Sequence, residues 1–377
     1  MSSNLQLSFW EMMGVEDGWR EGCLRAVRDC HVGARIEELE HQGGCSFTVL
    51  IVRAGSEREG KIADAISRDS VRSDRAPETR IIQFRPEKHG LDLRIAQAAT
   101  ETYGHFAPKS RGLNFGLPNG LQAFELEMMR GTPFSRCQRR SLRLDPEAWG
   151  RQLNLIRSFA AVIAKAWLAS SQTSHSPRRT RADSPIIDDS DTLLSQCTGK
   201  VGANITSKLH RLARYLPDAA LRRRAANTLS RLSELKGYPV VLNHGDLIPS
   251  NILIDPDTWE ITGIIDWAEA EWLPFGMCLY GLEHFLGFLD YTITSAPKFQ
   301  YYYGAERLRK FFWEELWIHA PAMKERMKVV RLAGDIGVFL WYGYAWDEGA
   351  IDRVVNEVDD KQELDCLRRF LERDVRT

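Results

Sequence analysis

A chain of 377 residues is long enough for two compact units, each with its own core. Its composition, 44% apolar and 27% charged, is that of an ordinary globular protein. A net charge of −1 gives no global field for nucleic acid or an anionic membrane, so neither is expected as a partner. The seven cysteines show no Cys-x-x-Cys or Cys/His ligand spacing and fit a reducing compartment. Met1–Asn4 opens no signal peptide, and Gly276–Phe288, read as the most apolar long stretch, is too short to span a bilayer. The expected location is the cytoplasm.

The first forty residues carry two helix-like runs, around Trp10, Met13 and Val15 and then around Leu24 and Val27. Gly43-Gly44-Cys45-Ser46 reads as a glycine turn entering a strand at Phe47–Val52. Such a turn can offer backbone N–H groups to a phosphate, although a plain hairpin turn has the same letters. Residues 56–79 are polar and charged and read as a loop. Ile81–Pro86 follows as a strand with Gln83 and Arg85 on one face. Residues 91–103 suit a helix carrying Asp92 and Glu101. Phe124–Met129 alternates and stops at Gly131. Asp145-Pro146-Glu147 is a helix start with a capping acid, and Trp149, Leu153, Ile156, Ala160, Ile163 and Trp167 recur at helical spacing. Residues 171–192 read as a polar insertion. A helical hairpin around Leu209, Leu212, Leu221, Leu229 and Leu232 comes next, and aromatic-rich helical segments run on to the C-terminus.

The densest chemistry lies in Asn243-His244-Gly245-Asp246-Leu247-Ile248-Pro249-Ser250-Asn251. A carboxylate and a carboxamide stand five residues apart on a loop leading into an apolar strand, Ile252–Ile254. Asp255–Thr258 is turn chemistry, and a second strand ends at Ile265-Asp266-Trp267. The hairpin brings Asp246, Asn251 and Asp266 toward one ion. Phosphoryl transfer needs such a set, an acid to hold the attacking hydroxyl and an amide with a second acid to hold magnesium. The alternative is purely structural, with Asp246 capping a turn and His244 a bonded core histidine, but it leaves the joint spacing unexplained. The spacing His-x-Asp-x-x-x-x-Asn matches the kinase catalytic loop, with Gly245 where arginine is usual.

This segment resembles the aminoglycoside phosphotransferase and choline kinase-like family, relatives of the protein kinases, whose motif is H-G-D-x-x-x-x-N followed by I-D-W or I-D-F. The resemblance implies an α+β, bilobal, protein-kinase-like fold. A small N-terminal antiparallel-sheet lobe (residues 1–131) would bind nucleotide, and a larger, mostly helical C-terminal lobe (residues 132–377) would carry catalysis and the acceptor. It implies ATP and Mg2+, with Asp246 as catalytic base, His244 bracing the loop, and Asn251 and Asp266 as metal ligands. Gly43, Gly44 and Ser46 would line the nucleotide loop. The backbone of Glu127, Met128 and Met129 would meet adenine. The strand position that holds phosphate by lysine in kinases carries Arg85 here, with Gln83 beside it, and an acid on the next helix, Asp92 or Glu101, would pair with that cation.

The implied acceptor is a hydroxyl of a small molecule. Glu269, Glu271, Glu283 and Asp290 make the region after Asp266 acidic, which suits a cationic acceptor or is simply a solvated acidic edge. A nucleotide-binding pseudokinase is the alternative, favoured by Arg85 and the thin glycine loop and disfavoured by the intact acid and amide set. A protein kinase proper is disfavoured by the missing D-F-G and A-P-E segments. The oligomeric state is not readable from the sequence.

Overall fold

Apolar residues at Phe47, Val49 and Ile51 alternate with Thr48 and Leu50, so one face of the second strand is buried and apolar. In the computed structural model this pattern builds a five-stranded antiparallel sheet. Its strands are β1 (Arg35–Glu38), β2 (Phe47–Arg53), β3 (Glu78–Pro86), β4 (Ser110–Leu113) and β5 (Leu121–Glu127), in the order β1-β2-β3-β5-β4. The structure describes residues 10, 18–39, 42, 45–53, 78–117, 120–172, 194–292 and 296–372. Gly43, Gly44, Met13, Val15 and nearly all of the loop 56–79 and the insertion 171–192 lie outside the described residues.

Register stacks the apolar face of the sheet: Phe47 opposes Phe84, Val49 opposes Ile82, and Phe84 opposes Ala123. Helix α1 (Gly18–Cys30) covers this face with Cys23, Leu24 and Val27, and Trp10 packs on Phe47 at 5.0 Å. A buried side chain of this size contributes roughly 1.5–3 kcal/mol over an exposed one. Gln83 and Arg85, out of phase with Ile82 and Phe84, fall on the opposite face.

By contacts the chain forms two compact units, Met1–Gln97 with Pro108–Met128, and Ala98–Ala107 with Met129–Thr377. Helix α2 (Leu93–Tyr103) begins in the first and ends in the second. The second unit is dominated by helices. Helix α3 (Pro146–Gln172) starts as its sequence demands: the Asp145 carboxylate accepts from the Ala148 N–H at 2.8 Å, and Pro146 occupies the first turn. By length and composition α3 is the one described helix able to cross a membrane, which the reading of Gly276–Phe288 as the most apolar stretch overlooked. Here its apolar stripe packs inward, Phe159 against Phe285 at 4.9 Å and Trp167 against Phe275 at 5.1 Å.

Helices α4 (Ile205–Tyr215) and α5 (Ala219–Ser230) form the expected hairpin. Beyond them lie three small antiparallel pairings. Strand β6 (Thr132–Pro133) joins the hairpin β8 (Ile252–Ile254) and β9 (Ile261–Ile264); β7 (Val240–Asn243) pairs with β10 (Glu271–Pro274); β11 (Gly287–Asp290) pairs with β12 (Lys298–Tyr301). The last of these pairings lies where only helices were expected. Helices α6 (Ala305–His319), α7 (Met327–Tyr342) and α8 (Lys361–Leu371) complete the unit. An antiparallel sheet in the first unit and a helical second unit make the α+β class plain.

Candidate active site

The loop after β7 is held at both ends before it offers any chemistry. Asn243 is buried, donating to the Val241 and Leu273 carbonyls at 3.1 Å and accepting from the Cys278 N–H at 3.1 Å. Gly245 follows at φ +78°, where a Cβ would stand 1.8 Å from the Glu269 carbonyl oxygen. Only glycine suits that conformation and that approach, which accounts for the missing arginine of the kinase pattern.

His244 fastens this loop to the end of the β8–β9 hairpin. Its Nδ1 accepts from the Asp246 N–H at 3.2 Å, so the ring proton lies on Nε2 and donates to the Ile265 carbonyl at 2.8 Å. The ring also meets Trp267 edge-on at 4.6 Å. Burial lowers its pKa to about 4, so the imidazole stays neutral.

Asn251 Nδ2 donates to Asp246 Oδ2 at 2.8 Å and to the Asp246 carbonyl at 2.9 Å. In the β8–β9 hairpin Ile252 opposes Ile264, and the Ile265 N–H donates to the Asn251 carbonyl at 2.9 Å. Asp266 is therefore the next residue beyond the one bonded to Asn251. It is exposed and left-handed, at φ 62° and ψ 65°. A non-glycine residue there costs about 1–3 kcal/mol, a strain that accumulates at functional sites. Burial, then the charge of Asp266, raises the Asp246 pKa to about 7, while the Asn251 bond works the other way. A carboxylate whose charge is disfavoured by burial and by a neighbouring carboxylate, with an amide oxygen beside it, suits a divalent cation. Among the described residues no three His, Cys, Asp or Glu side chains form a metal cage. Magnesium needs none, since it takes one or two carboxylates and completes its shell with phosphate oxygens and water. The donor set fits that usage.

The nucleotide candidates of the first unit share one sheet face. Thr48 opposes Gln83, and Ser46 is buried with its hydroxyl 3.4 Å from that of Thr48. Arg85, 5% exposed, donates to Gln83 Oε1 at 3.1 Å and to the His89 carbonyl at 3.4 Å. Asp92 precedes α2 and pairs with the adjacent Arg94 at 2.9 Å, a local turn that occupies its carboxylate. The Glu127 N–H donates to the Lys109 carbonyl at 2.8 Å; Met128 is exposed, and Met129 is buried against Gly263.

The acidic stretch after Asp266 proves to be neither a solvated edge nor a continuous surface for a cation. Glu271 is buried and accepts from the Val201 and Gly202 N–H groups at 3.1 and 2.7 Å. Glu283 is 1% exposed and pairs with Arg309 at 2.7 Å and with the Tyr301 hydroxyl at 2.8 Å. The Asp290 carboxylate closes a turn onto Thr292 at 2.6 and 2.9 Å.

A cavity of about 450 Å³ in the second unit opens against this loop, with Gly245, Ile248 and Glu269 in its wall. Aromatic residues make much of the rest, among them Tyr280, Trp341, Tyr342, Tyr344 and Trp346. No single spacing marks the set, because Tyr280 and the run from Trp341 to Trp346 are separate segments that meet only in the fold. Tyr280 also touches the loop directly, its hydroxyl accepting from the Leu247 N–H at 3.1 Å.

Residues 108–277 match the model of the phosphotransferase enzyme family. A search of curated proteins finds no match. Among solved structures, the GDP complex of wild-type aminoglycoside 2'-phosphotransferase-IIIa aligns at 14% identity, covering 95% of this chain and 100% of that one, with a TM-score of 0.51. A mutant of that enzyme, also a GDP complex, aligns at 13% identity over 95% and 98% of the two chains, again at 0.51. The aminoglycoside-3'-phosphotransferase of type VIII aligns at 15% identity over 84% and 98%, at 0.42. The fold is thus protein-kinase-like, and residues 108–277, which hold the whole loop and the β8–β9 hairpin, are similar to the phosphotransferase enzyme family.

Proposed function

We propose that the protein transfers the γ-phosphoryl group of ATP to a hydroxyl of a small molecule. The observation that carries this reading is the joint placement of Asp246, Asn251 and Asp266 by one hydrogen-bonded loop and one hairpin. A pseudokinase is disfavoured by the same intact set.

Asp246 is the base. Its free carboxylate oxygen orients the acceptor hydroxyl and takes the proton as the oxygen–phosphorus bond forms and the bond to the leaving diphosphate breaks. Asn251 steadies that carboxylate and, with Asp266, would hold magnesium. When bound, the metal neutralises charge on the phosphate oxygens and draws the Asp246 pKa down from its raised value. His244, neutral throughout, keeps the loop in register with Asp266.

For the nucleotide, Ser46, Gln83 and Arg85 share one sheet face, and Gly43 and Gly44 precede it. Arg85 replaces lysine as the phosphate-holding cation, with a planar fork in place of a point charge. The Glu127 N–H is already taken, so Met128 and Met129 supply the adenine contacts. The GDP held by the similar 2'-phosphotransferase supports a purine nucleotide here.

The test is ADP release. It should require magnesium and a hydroxyl acceptor, and fall to background in Asp246→Asn while ATP still binds. Undiminished release by that variant would remove the base from the mechanism.

A further inference from the structure

Resting on the phosphotransfer reading, we infer that the acceptor is an apolar, ring-bearing alcohol and not a polycationic sugar. The cavity beside Asp246 has the volume of a small-molecule site, and its character is set by how its polar groups are already used.

Four tyrosines line it, and the hydroxyls of the three buried ones are engaged by the protein. Tyr280 accepts from the Leu247 N–H at 3.1 Å, Tyr342 bonds His284 Nε2 at 2.6 Å, and Tyr344 donates to the Lys208 carbonyl at 2.9 Å. What they offer a ligand is ring surface. Trp341 extends that surface, stacked on Tyr280 at 5.0 Å and 8°. Trp346, 44% exposed, adds a further ring to the wall. Leu273, Met277, Leu340 and Ile351 fill the gaps between rings.

Two amide side chains of the wall are similarly committed. Asn243 is saturated by backbone groups, and Gln138 donates to the His284 and Gly287 carbonyls at 2.8 Å. Burial keeps His284 neutral, its pKa lowered to about 4.

Charge decides between acceptor classes. Of the three lining glutamates, Glu271 holds the Val201 and Gly202 N–H groups. Glu269 and Glu363 also line the wall, which they share with the cation Arg140. A sugar with several ammonium groups would leave most of them desolvated against rings and aliphatic chains, the costliest way to bury charge. A flat apolar body would bury its own surface there and present one hydroxyl toward Asp246.

The experiment is equilibrium binding by calorimetry on the full chain without nucleotide. Its probes are phenylethanol, naphthylethanol and pyrenebutanol, with streptomycin as the polycation. At least one ring alcohol should bind about tenfold or more tightly than streptomycin, and Trp346→Ala, folded by circular dichroism, should weaken it by about tenfold. Tighter binding of streptomycin, absence of binding by every ring alcohol, or indifference to Trp346→Ala would overturn the inference. The readout is independent of chemistry. Ring alcohols that bind but are never phosphorylated would sink the phosphotransfer reading alone, and phosphorylation of streptomycin in preference to them would sink only the inference.

Discussion

Asn251 Nδ2 stands 2.8 Å from Asp246 Oδ2, so the amide and the carboxylate of the loop form one bonded pair. The pair fixes one carboxylate oxygen and leaves the other for chemistry. It also joins that carboxylate to the hairpin, because the Asn251 carbonyl accepts from Ile265, the neighbour of Asp266.

Asp246→Asn should lower turnover by about 10²–10⁴-fold, the usual range for a lost general base, with ATP affinity nearly unchanged. Its effect on stability depends on pH. The folded pKa of about 7 lies above the ordinary value of 3.8, so the folded state holds a proton between those values that the unfolded chain has lost. That advantage is full below the unfolded value and disappears as pH rises through about 7. In metal-free protein, Asp246→Asn should therefore melt higher than wild type at pH near 8, and by a clearly smaller margin at pH near 5. Thermal scans at both values check the sign.

Asp266→Gly separates strain from function. Glycine accepts φ 62° at little cost, and the substitution removes the charge that raises the Asp246 pKa. Stability should rise by about 0.5–1 kcal/mol, while magnesium-dependent ATP binding and turnover are both lost. A denaturant titration beside an ATP-binding isotherm reads the two effects apart.

Gly245→Ala should damage the loop without touching any titratable group. Its Cβ would fall within 1.8 Å of the Glu269 carbonyl at a φ that L residues avoid. We expect a loss of roughly 2 kcal/mol or more in stability and a fall in kcat beyond what unfolding explains. An activity assay normalised to folded fraction checks this.

Glu283→Gln tests whether the acidic stretch serves the acceptor or the fold. Glu283 is buried against Arg309 at 2.7 Å. Breaking a buried pair on one side costs about 3–5 kcal/mol. The variant should lose that much by urea denaturation, and the folded fraction should keep the wild-type KM for the acceptor. A large KM change at unaltered stability would return Glu283 to the binding site.

His244 and His284 should make the protein acid-sensitive above the carboxylate range. Burial lowers both pKa values from the ordinary 6.5 to about 4. Between these limits the unfolded chain takes up protons that the folded protein refuses, so stability falls as pH drops through that window. The proton that Asp246 gains near pH 7 works in the opposite direction, but two histidines outweigh one aspartate. Unfolding free energy measured at pH near 7 and near 5 should show the decline.

Local pattern made much of this molecule legible. The alternation in Phe47–Arg53, the cap at Asp145 and the apolar stripe of α3 each depend on neighbours within a few residues, and the structure has them where the letters put them. The loop and the β8–β9 hairpin were readable for the same reason, since Asp246, Asn251 and Asp266 sit within one short segment closed by a turn. Sequence also named Gly245 as a departure from the kinase pattern. Its cause, the carbonyl of Glu269, became visible only once β10 paired with β7.

Partners distant in numbering decided the rest. Glu271 and Glu283 look like Glu269 in the sequence, yet one caps backbone N–H groups at Val201 and Gly202 and the other neutralises Arg309. The sign of a residue's charge is written in the chain, whereas its burial and counter-charge are set by whatever packs against it. The aromatic cavity follows the same rule. Tyr280, Trp341 and Trp346 acquire a common purpose only when separate segments converge, because burial of rings is non-directional and leaves no spacing in the sequence to read.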